Sequence, residues 1–308
     1  MTTRTLFKGA ALRSALVGAA AMALLACHPK NEEARQLQGT CEGGDAKACT
    51  QLAGRLLKGE YILKDEPRAA VLFQRGCDGQ VADGCASLGS LYFAGRGVKR
   101  DSVRATTLFR QGCDGGGLEG CAQLGVLHRK GTGGMPRDPE RAAALFTQAC
   151  DGGNLSGCAH FASLLATGEG VAQDAARAAE LSKKSCDGKV FLGCLELGRL
   201  HAAGAGVARN DSLAAHLYGQ ACDGNESRGC FHLAALHETG LGVTQDFGRA
   251  ATLYRQACDQ RDGESCFRLA SMYEKGLGVR RDTDRATAMT RRACDSGYTP
   301  ACPKPKAT

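Results

Sequence analysis

Apolar positions in this chain follow a helical period that restarts about every 36 residues. After Cys85, Leu88, Leu91 and Tyr92 stand at i, i+3 and i+4, the spacing of one helix face. The residue after Leu88 is small (Gly89), with Gly125, Ala162, Gly198, Ala234 and Ala270 as counterparts, which predicts close approach of a neighbouring helix. Gly95 ends the helix, as glycine does at a C-terminal cap. A second helix opens at an aspartate, a good N-cap: Asp65, Asp101, Asp138, Asp174, Asp246 and Asp282, with Asn210 in the fifth copy. Pro139 follows Asp138 at the first helical position, where its missing N–H has no partner to lose. The inner face of this helix repeats Ala-x-x-Leu, as in Ala105/Leu108, Ala178/Leu181 and Ala250/Leu253. Each copy therefore reads as a hairpin of two helices.

The cysteines mark the joints. They fall in pairs spaced C-x7-C: Cys41/Cys49, Cys77/Cys85, Cys113/Cys121, Cys150/Cys158, Cys186/Cys194, Cys222/Cys230, Cys258/Cys266 and Cys294/Cys302. Successive pairs start 36 residues apart, except for a 37-residue step from Cys113 to Cys150, whose extra residue lies in the loop Gly131-Thr132-Gly133-Gly134-Met135. Self-similarity at a fixed period over nearly the whole chain predicts an α/α solenoid of about seven 36-residue hairpins spanning 41–302, with a tail at 303–308. Composition agrees: aromatics make up only 5%, tryptophan is absent and there are 42 glycines, too little bulk for one large core.

Two pairings of these cysteines are sensible. Within one hairpin, Cys85 would bond Cys113; across the turn between hairpins, Cys77 would bond Cys85. The first scheme makes seven bonds and strands Cys41 and Cys302, whereas the second makes eight and strands none of the sixteen. Counting favours the second. Closing a nine-residue loop removes about 2.6 kcal/mol of unfolded-chain freedom in the entropy model, so the cassette acts as a staple on a flexible glycine-rich turn. Structural zinc and redox dithiols want closer spacings, C-x2–4-C and C-x-x-C, so no metal or cofactor is expected. Seventeen cysteines point to an oxidising compartment.

The seventeenth is Cys27. Arg4, Lys8 and Arg13 precede an apolar run, Ala15–Ala26, shorter than a membrane span but the size of a signal-peptide core. Leu24-Leu25-Ala26-Cys27 resembles the lipobox of bacterial lipoproteins, which implies a leader at 1–26, a lipid on Cys27 and a short polar linker up to Thr40. The alternative is ordinary secretory cleavage with Cys27 left as an odd thiol and the protein soluble. His28, where an aspartate would retain a lipoprotein at the inner membrane, implies the outer membrane, facing the periplasm. Net charge is +7, of which Arg4, Lys8 and Arg13 would leave with the leader. The remaining basic residues are scattered among acids without interleaved aromatics, which argues against nucleic acid as a partner.

The pattern Cys-Asp-Gly-x5-Cys-x2-Leu-Gly-x-Leu-Tyr-x2-Gly-x-Gly-Val, whole at 77–98, resembles the Sel-like repeat family, relatives of the tetratricopeptide repeats. The resemblance is closest to its disulfide-rich branch, the Helicobacter cysteine-rich proteins, and covers 41–302. The first copy departs from it, with Gly59-Glu60-Tyr61-Ile62-Leu63 in place of the Gly-x-Gly-Val loop; the last runs from Cys302 into Pro303-Lys304-Pro305, which ends the array. The resemblance implies a right-handed solenoid and the cross-turn disulfides. It also implies a concave groove lined by the first helices, whose slots here are Gln51, Ser87, Gln123, His160, Glu196, His232 and Arg268. These residues vary while the packing positions repeat, as a binding face would, and as plain solvent exposure would too.

The expected function is a monomeric, non-catalytic envelope scaffold that binds a protein, peptide or cell-wall-related ligand. Some of the cysteine-rich branch are linked to penicillin binding and β-lactam hydrolysis, so a hydrolase is the alternative, and a purely structural envelope protein the second. The chain carries no S-x-x-K, K-T-G, S-D-N, H-E-x-x-H or G-x-S-x-G motif that would nominate a catalytic residue. His128, His201 and His237 share one register with Tyr92 and Tyr273; on stacked helices roughly 8–10 Å apart they read as tyrosine-like packing rather than ion ligands.

Overall fold

A computed structural model of the chain describes residues 29–60 and 62–302. The expected leader, Cys27 and the tail 303–308 lie outside them. The described residues form fifteen α-helices and no strand. Helix α1 is Pro29–Glu42. The first helices of the repeats are α2 (Ala46–Lys58), α4 (Ala82–Ala94), α6 (Leu118–Lys130), α8 (Leu155–Thr167), α10 (Phe191–Ala203), α12 (Ser227–Thr239) and α14 (Gly263–Lys275). The second helices are α3 (Glu66–Asp78), α5 (Ser102–Asp114), α7 (Pro139–Asp151), α9 (Ala175–Asp187), α11 (Asp211–Asp223), α13 (Phe247–Asp259) and α15 (Thr283–Asp295), and a 3-10 turn at Thr299–Ala301 closes the array.

Local chemistry sets these boundaries. All seven expected caps work: the side chains from Asp65 to Asp282, with Asn210 among them, accept the backbone N–H three residues on at 2.8–2.9 Å. Every first helix ends on a glycine in the left-handed region, at φ between 65° and 77°. The small slot behaves as the sequence predicts: a Cβ on Gly89 would stand 2.9 Å from the Phe109 ring, and one on Gly198 2.8 Å from Tyr218. The second glycine of the Gly-x-Gly-Val loop has a separate reason. Gly97 (φ 68°) lies against the first turn of α3, in the preceding repeat, where a Cβ would meet the Glu66 carbonyl carbon at 2.4 Å. Each such loop is thereby seated on the hairpin before it.

The chain divides into two compact units, one up to Leu127 with Gly131–Pro136, the other His128–Lys130 with Arg137 onward. In the first, α1 packs on α2, α2 on α3, α3 on α4 and α4 on α5; in the second, each helix from α7 to α15 packs on its successor. First helices also touch one another directly, α2 with α4 and α8 with α10. Nearest-neighbour stacking of hairpins through their apolar faces is the construction of an α/α solenoid. All eight disulfides are the cross-turn bonds: Cys41–Cys49, Cys77–Cys85, Cys113–Cys121, Cys150–Cys158, Cys186–Cys194, Cys222–Cys230, Cys258–Cys266 and Cys294–Cys302, with Cα atoms 4.4–4.8 Å apart. Eight such bonds belong to an oxidising compartment. Among the described residues no helix is long and apolar enough to cross a membrane.

The bonds lie deeper than the turns they close: Cys121, Cys158, Cys194, Cys230 and Cys266 are at most 1% exposed. The reason is their place on the first helix. Each sits three residues before a packed leucine or phenylalanine of the same face, such as Leu124, Phe161, Leu197, Leu233 and Leu269. In three of these joints the second helix that follows adds an alanine to the same cluster. Cys194 shares an apolar cluster with Ala221, Cys230 with Ala257, and Cys266 with Ala293. These five bonds therefore fill core volume as well as closing their turns.

One expectation is corrected, for the segment read as a polar linker. It is the helix α1, about 21 Å long at 1.5 Å per residue. Ala34 and Cys41 are buried, Leu37 packs into the cluster of Leu52, Leu56 and Phe73, and Glu33 pairs with Arg55. The physical reason lies in the register. Ala34, Leu37 and Cys41 stand one period before Ala70, Phe73 and Cys77, so α1 takes the register of a second helix. It covers the apolar face that α2 would otherwise leave to water.

Candidate functional site

The seven slots expected to face a groove do not form one uniform row. Gln51 and Arg268 are exposed; Ser87, Gln123, His160 and His232 are partly covered; Glu196 is buried, only 5% exposed. Gln123 donates to Glu119 at 2.7 Å. In the second unit two of the slots are packing partners. His160 on α8 stacks on Phe146 of α7 at 4.9 Å, and His232 on α12 stacks on Tyr218 of α11 at the same distance. Each stack spans a disulfide joint. Burial, reinforced by Arg129 beside His160 and Arg228 beside His232, pushes both imidazoles down to about 4, so both are neutral at pH 7.

The joint between these two stacks breaks the pattern. One period after Phe146 comes Ser182, and one period after His160 comes Glu196. The Ser182 hydroxyl is fully buried with no hydrogen-bond partner among the described residues. Glu196 takes both its bonds from one nitrogen of Arg199, at 3.0 and 3.3 Å. A buried carboxylate costs several kcal/mol unless paired, and here its partner is itself nearly half exposed. The pair borders a pocket of about 410 Å³, lined by Glu196, Arg199, Tyr218 and His232 with Ala202 and Ala203. Burial holds the Tyr218 phenol up to about 12, which keeps its proton. The pocket thus offers an ion pair, a neutral phenol and a neutral imidazole beside alanine methyl groups. Those groups are donors and acceptors of the kind a polar chain requires.

Other candidates resolve into structure. His128 and His237 are buried and His201 partly so. Their carbonyls accept the N–H of the cap residues Asp138, Asn210 and Asp246, while His201 and His237 place Nδ1 3.1 Å from the carbonyls of Ala208 and Thr244. The register pins the hairpin loop to the helix it leaves. Among the described residues no three His, Cys, Asp or Glu side chains gather as a metal site would. The Ser185 hydroxyl lies between the Leu181 and Leu155 carbonyls, and that of Ser163 accepts from Arg129, so both serve packing. Sequence reasoning nominated Glu196 and His232 but missed Arg199, Tyr218 and the alanines beside them. The signal available was Ser182, an interior break in a column that holds Phe73, Phe109, Phe146, Tyr218 and Tyr254 and ends on Thr290.

Comparison with known proteins places the architecture. A model of the Sel1 repeat matches seven times, at 46–80, 82–117, 118–154, 157–189, 192–226, 227–262 and 263–298. The chain is 28% identical to a protective antigen of uropathogenic Escherichia coli that displays an SLR fold, with a TM-score of 0.57 over 87% of this chain and 57% of that one. It therefore spans little more than half of that antigen. A Sel1 repeat protein from Oxalobacter formigenes shares the fold at 24% identity and a TM-score of 0.59, over 88% of this chain and 78% of that one. Helicobacter pylori cysteine-rich protein B is 28% identical over 42% of this chain and 93% of its own, at a TM-score of 0.36. No curated protein matches. Seven consecutive matches, with a disulfide cassette at each joint between them, make this chain a member of the Sel1 repeat family.

Proposed function

We propose that this chain is an interaction scaffold of a bacterial envelope, tethered through Cys27 and holding a peptide segment of a partner protein against its first helices. The observation that carries this reading is the pocket bordered by Glu196 and Arg199. A repeat array made only for stacking has no use for a buried carboxylate and an orphaned hydroxyl in place of an aromatic–histidine stack; both cost stability. Direct contact between successive first helices supports their layer as the inner, concave one, since the layer with closer helices lies on the inside of a curved stack. The neutral Tyr218 and His232 hydrogen-bond a peptide backbone without demanding a charge from it, while Arg199 and Glu196 read a polar side chain.

Peptides selected on the immobilised, disulfide-intact protein provide the test. Ala203→Trp, which fills the pocket, and Tyr218→Phe, which removes one hydroxyl, are expected to weaken the selected peptides by tenfold or more and by a few-fold respectively. Far-UV circular dichroism checks that both variants stay folded. Peptides that bind Ala203→Trp as well as the parent would sink the assignment of this pocket.

A further inference from the structure

A second cleft, in the seventh repeat, has a charge pattern that none of the preceding roles uses. On the loop edge of the array, basic residues near the start of a second helix meet a carboxylate at three places. Glu66 takes Lys64 at 3.0 Å and Arg96 at 2.7 Å, Glu169 takes Arg129 and Arg137 at 3.0 and 2.7 Å, and Asp211 takes Arg209 at 3.1 Å. At α15 the position equivalent to Glu66 and Asp211 is Thr283. Arg255, Arg280, Arg281 and Arg285 converge there on a cleft of about 680 Å³ beside Tyr273.

These four guanidinium groups have little to satisfy them. Arg255 donates to the Tyr273 hydroxyl at 3.3 Å, and Arg285 reaches Asp282 at 3.3 Å. Asp282 is the one carboxylate lining the cleft, and its other oxygen is spent on capping α15, accepting the Arg285 N–H at 2.9 Å. Arg280 and Arg281 have no ion pair or side-chain hydrogen bond among the described residues. Asp284, on the first turn of the same helix, does not line the cleft. Gathering like charges around one hollow destabilises a fold unless a counter-charge enters it.

We propose that this cleft binds a phosphate-bearing small molecule. Four positive charges against one carboxylate leave an excess that a single carboxylate ligand would not neutralise, whereas a phosphate ester or diphosphate brings two or more negative charges on one centre. Guanidinium forks match phosphoryl oxygens in pairs, and the cleft has the volume of a small-ligand site. The same chemistry is offered by a soluble phosphorylated compound and by a phospholipid headgroup.

The probe is inorganic pyrophosphate, titrated calorimetrically into the disulfide-intact protein at fixed ionic strength, with citrate as a carboxylate of comparable charge. One-to-one saturable binding is expected, weakened at least tenfold by Arg281→Ala and by Arg280→Ala. The paired variant Lys99→Ala/Arg100→Ala, at the same edge of the second repeat, is expected to bind as the parent does. Both cleft arginines are exposed, so the variants keep their fold and a thermal melt verifies it. No saturable binding, equal loss in the second-repeat variant, or citrate binding as tightly as pyrophosphate each overturns the proposal. Sedimentation with phosphatidylglycerol vesicles, but not phosphatidylcholine vesicles, that is lost in Arg281→Ala assigns the phosphate to a lipid. Pyrophosphate binding without sedimentation assigns it to a soluble ligand.

Discussion

His160 and His232 give the joints of the second unit a built-in pH response. An unfolded histidine takes up its proton near 6.5, whereas burial holds these two at about 4 in the folded protein. Between those values the unfolded chain binds more protons, so their contribution is complete above about pH 6.5 and is lost as pH falls towards 4. Melting temperatures measured from pH 7 to 4 should fall less steeply in a His160→Phe/His232→Phe variant, which keeps each stack and removes the titration. Parallel curves would show that carboxylates alone set the slope. Single glycines should separate just as sharply. Gly97→Ala forces a Cβ into the Glu66 backbone at a left-handed φ and is expected to cost about 3 kcal/mol. Gly116→Ala meets nothing within 4 Å and should cost only the φ penalty, about 1–2 kcal/mol. Urea unfolding of the two variants checks the ranking.

Helices in this protein depend on their neighbours and on the staples between them. Removing both Cys113 and Cys121 as alanines is expected to lower stability by about 2.6 kcal/mol through the lost cross-link, read as faster amide exchange in the flanking turns of α5 and α6. Cys121→Ala alone should assemble worse than the double variant, because it leaves the thiol of Cys113 to pair wrongly. Helix α1 makes its own contribution as the cover of the first hairpin. Truncating Leu37 to alanine removes part of its contact with the Leu52 and Phe73 cluster. A loss of about 1–2 kcal/mol is expected, seen first as lost exchange protection in α2. Undisturbed protection there would mean that α1 is held by its disulfide alone.

At the scale of the molecule, α1 changes the picture of a lipid tether. If Cys27 carries the lipid, only His28 separates it from a helix packed on the first repeat, in place of a flexible chain reaching roughly 45 Å. The proposed scaffold would then hold its first hairpin at the membrane surface rather than swing freely above it. Cys27→Ser is expected to move the protein from the membrane to the soluble fraction on cell fractionation. Full retention on membranes would remove the lipid as the sole anchor.

The sequence by itself determined the repeat, the hairpins, their caps and the eight joints, because each rests on contacts within about one 36-residue period and so recurs visibly. A cap needs only an aspartate and the N–H three residues on; a cassette closes on itself. Even α1 was legible, had Ala34, Leu37 and Cys41 been aligned with Ala70, Phe73 and Cys77. What only the tertiary structure decided is how deep each part lies and which departures from the repeat meet in space. Cys194, Cys230 and Cys266 are buried in clusters to which the following second helix adds an alanine, a contact that spacing alone does not reveal. Ser182 and Glu196 are ordinary apart and significant together, since one removes the aromatic on which the other would have stacked as histidine. The cleft of the seventh repeat likewise needs Arg255 from α13 beside Arg280, Arg281 and Arg285 from the loop and helix that follow α14. Periodicity reveals what every hairpin must share in order to stack. Binding surfaces arise where neighbouring hairpins differ, and only packing shows which differences face the same space.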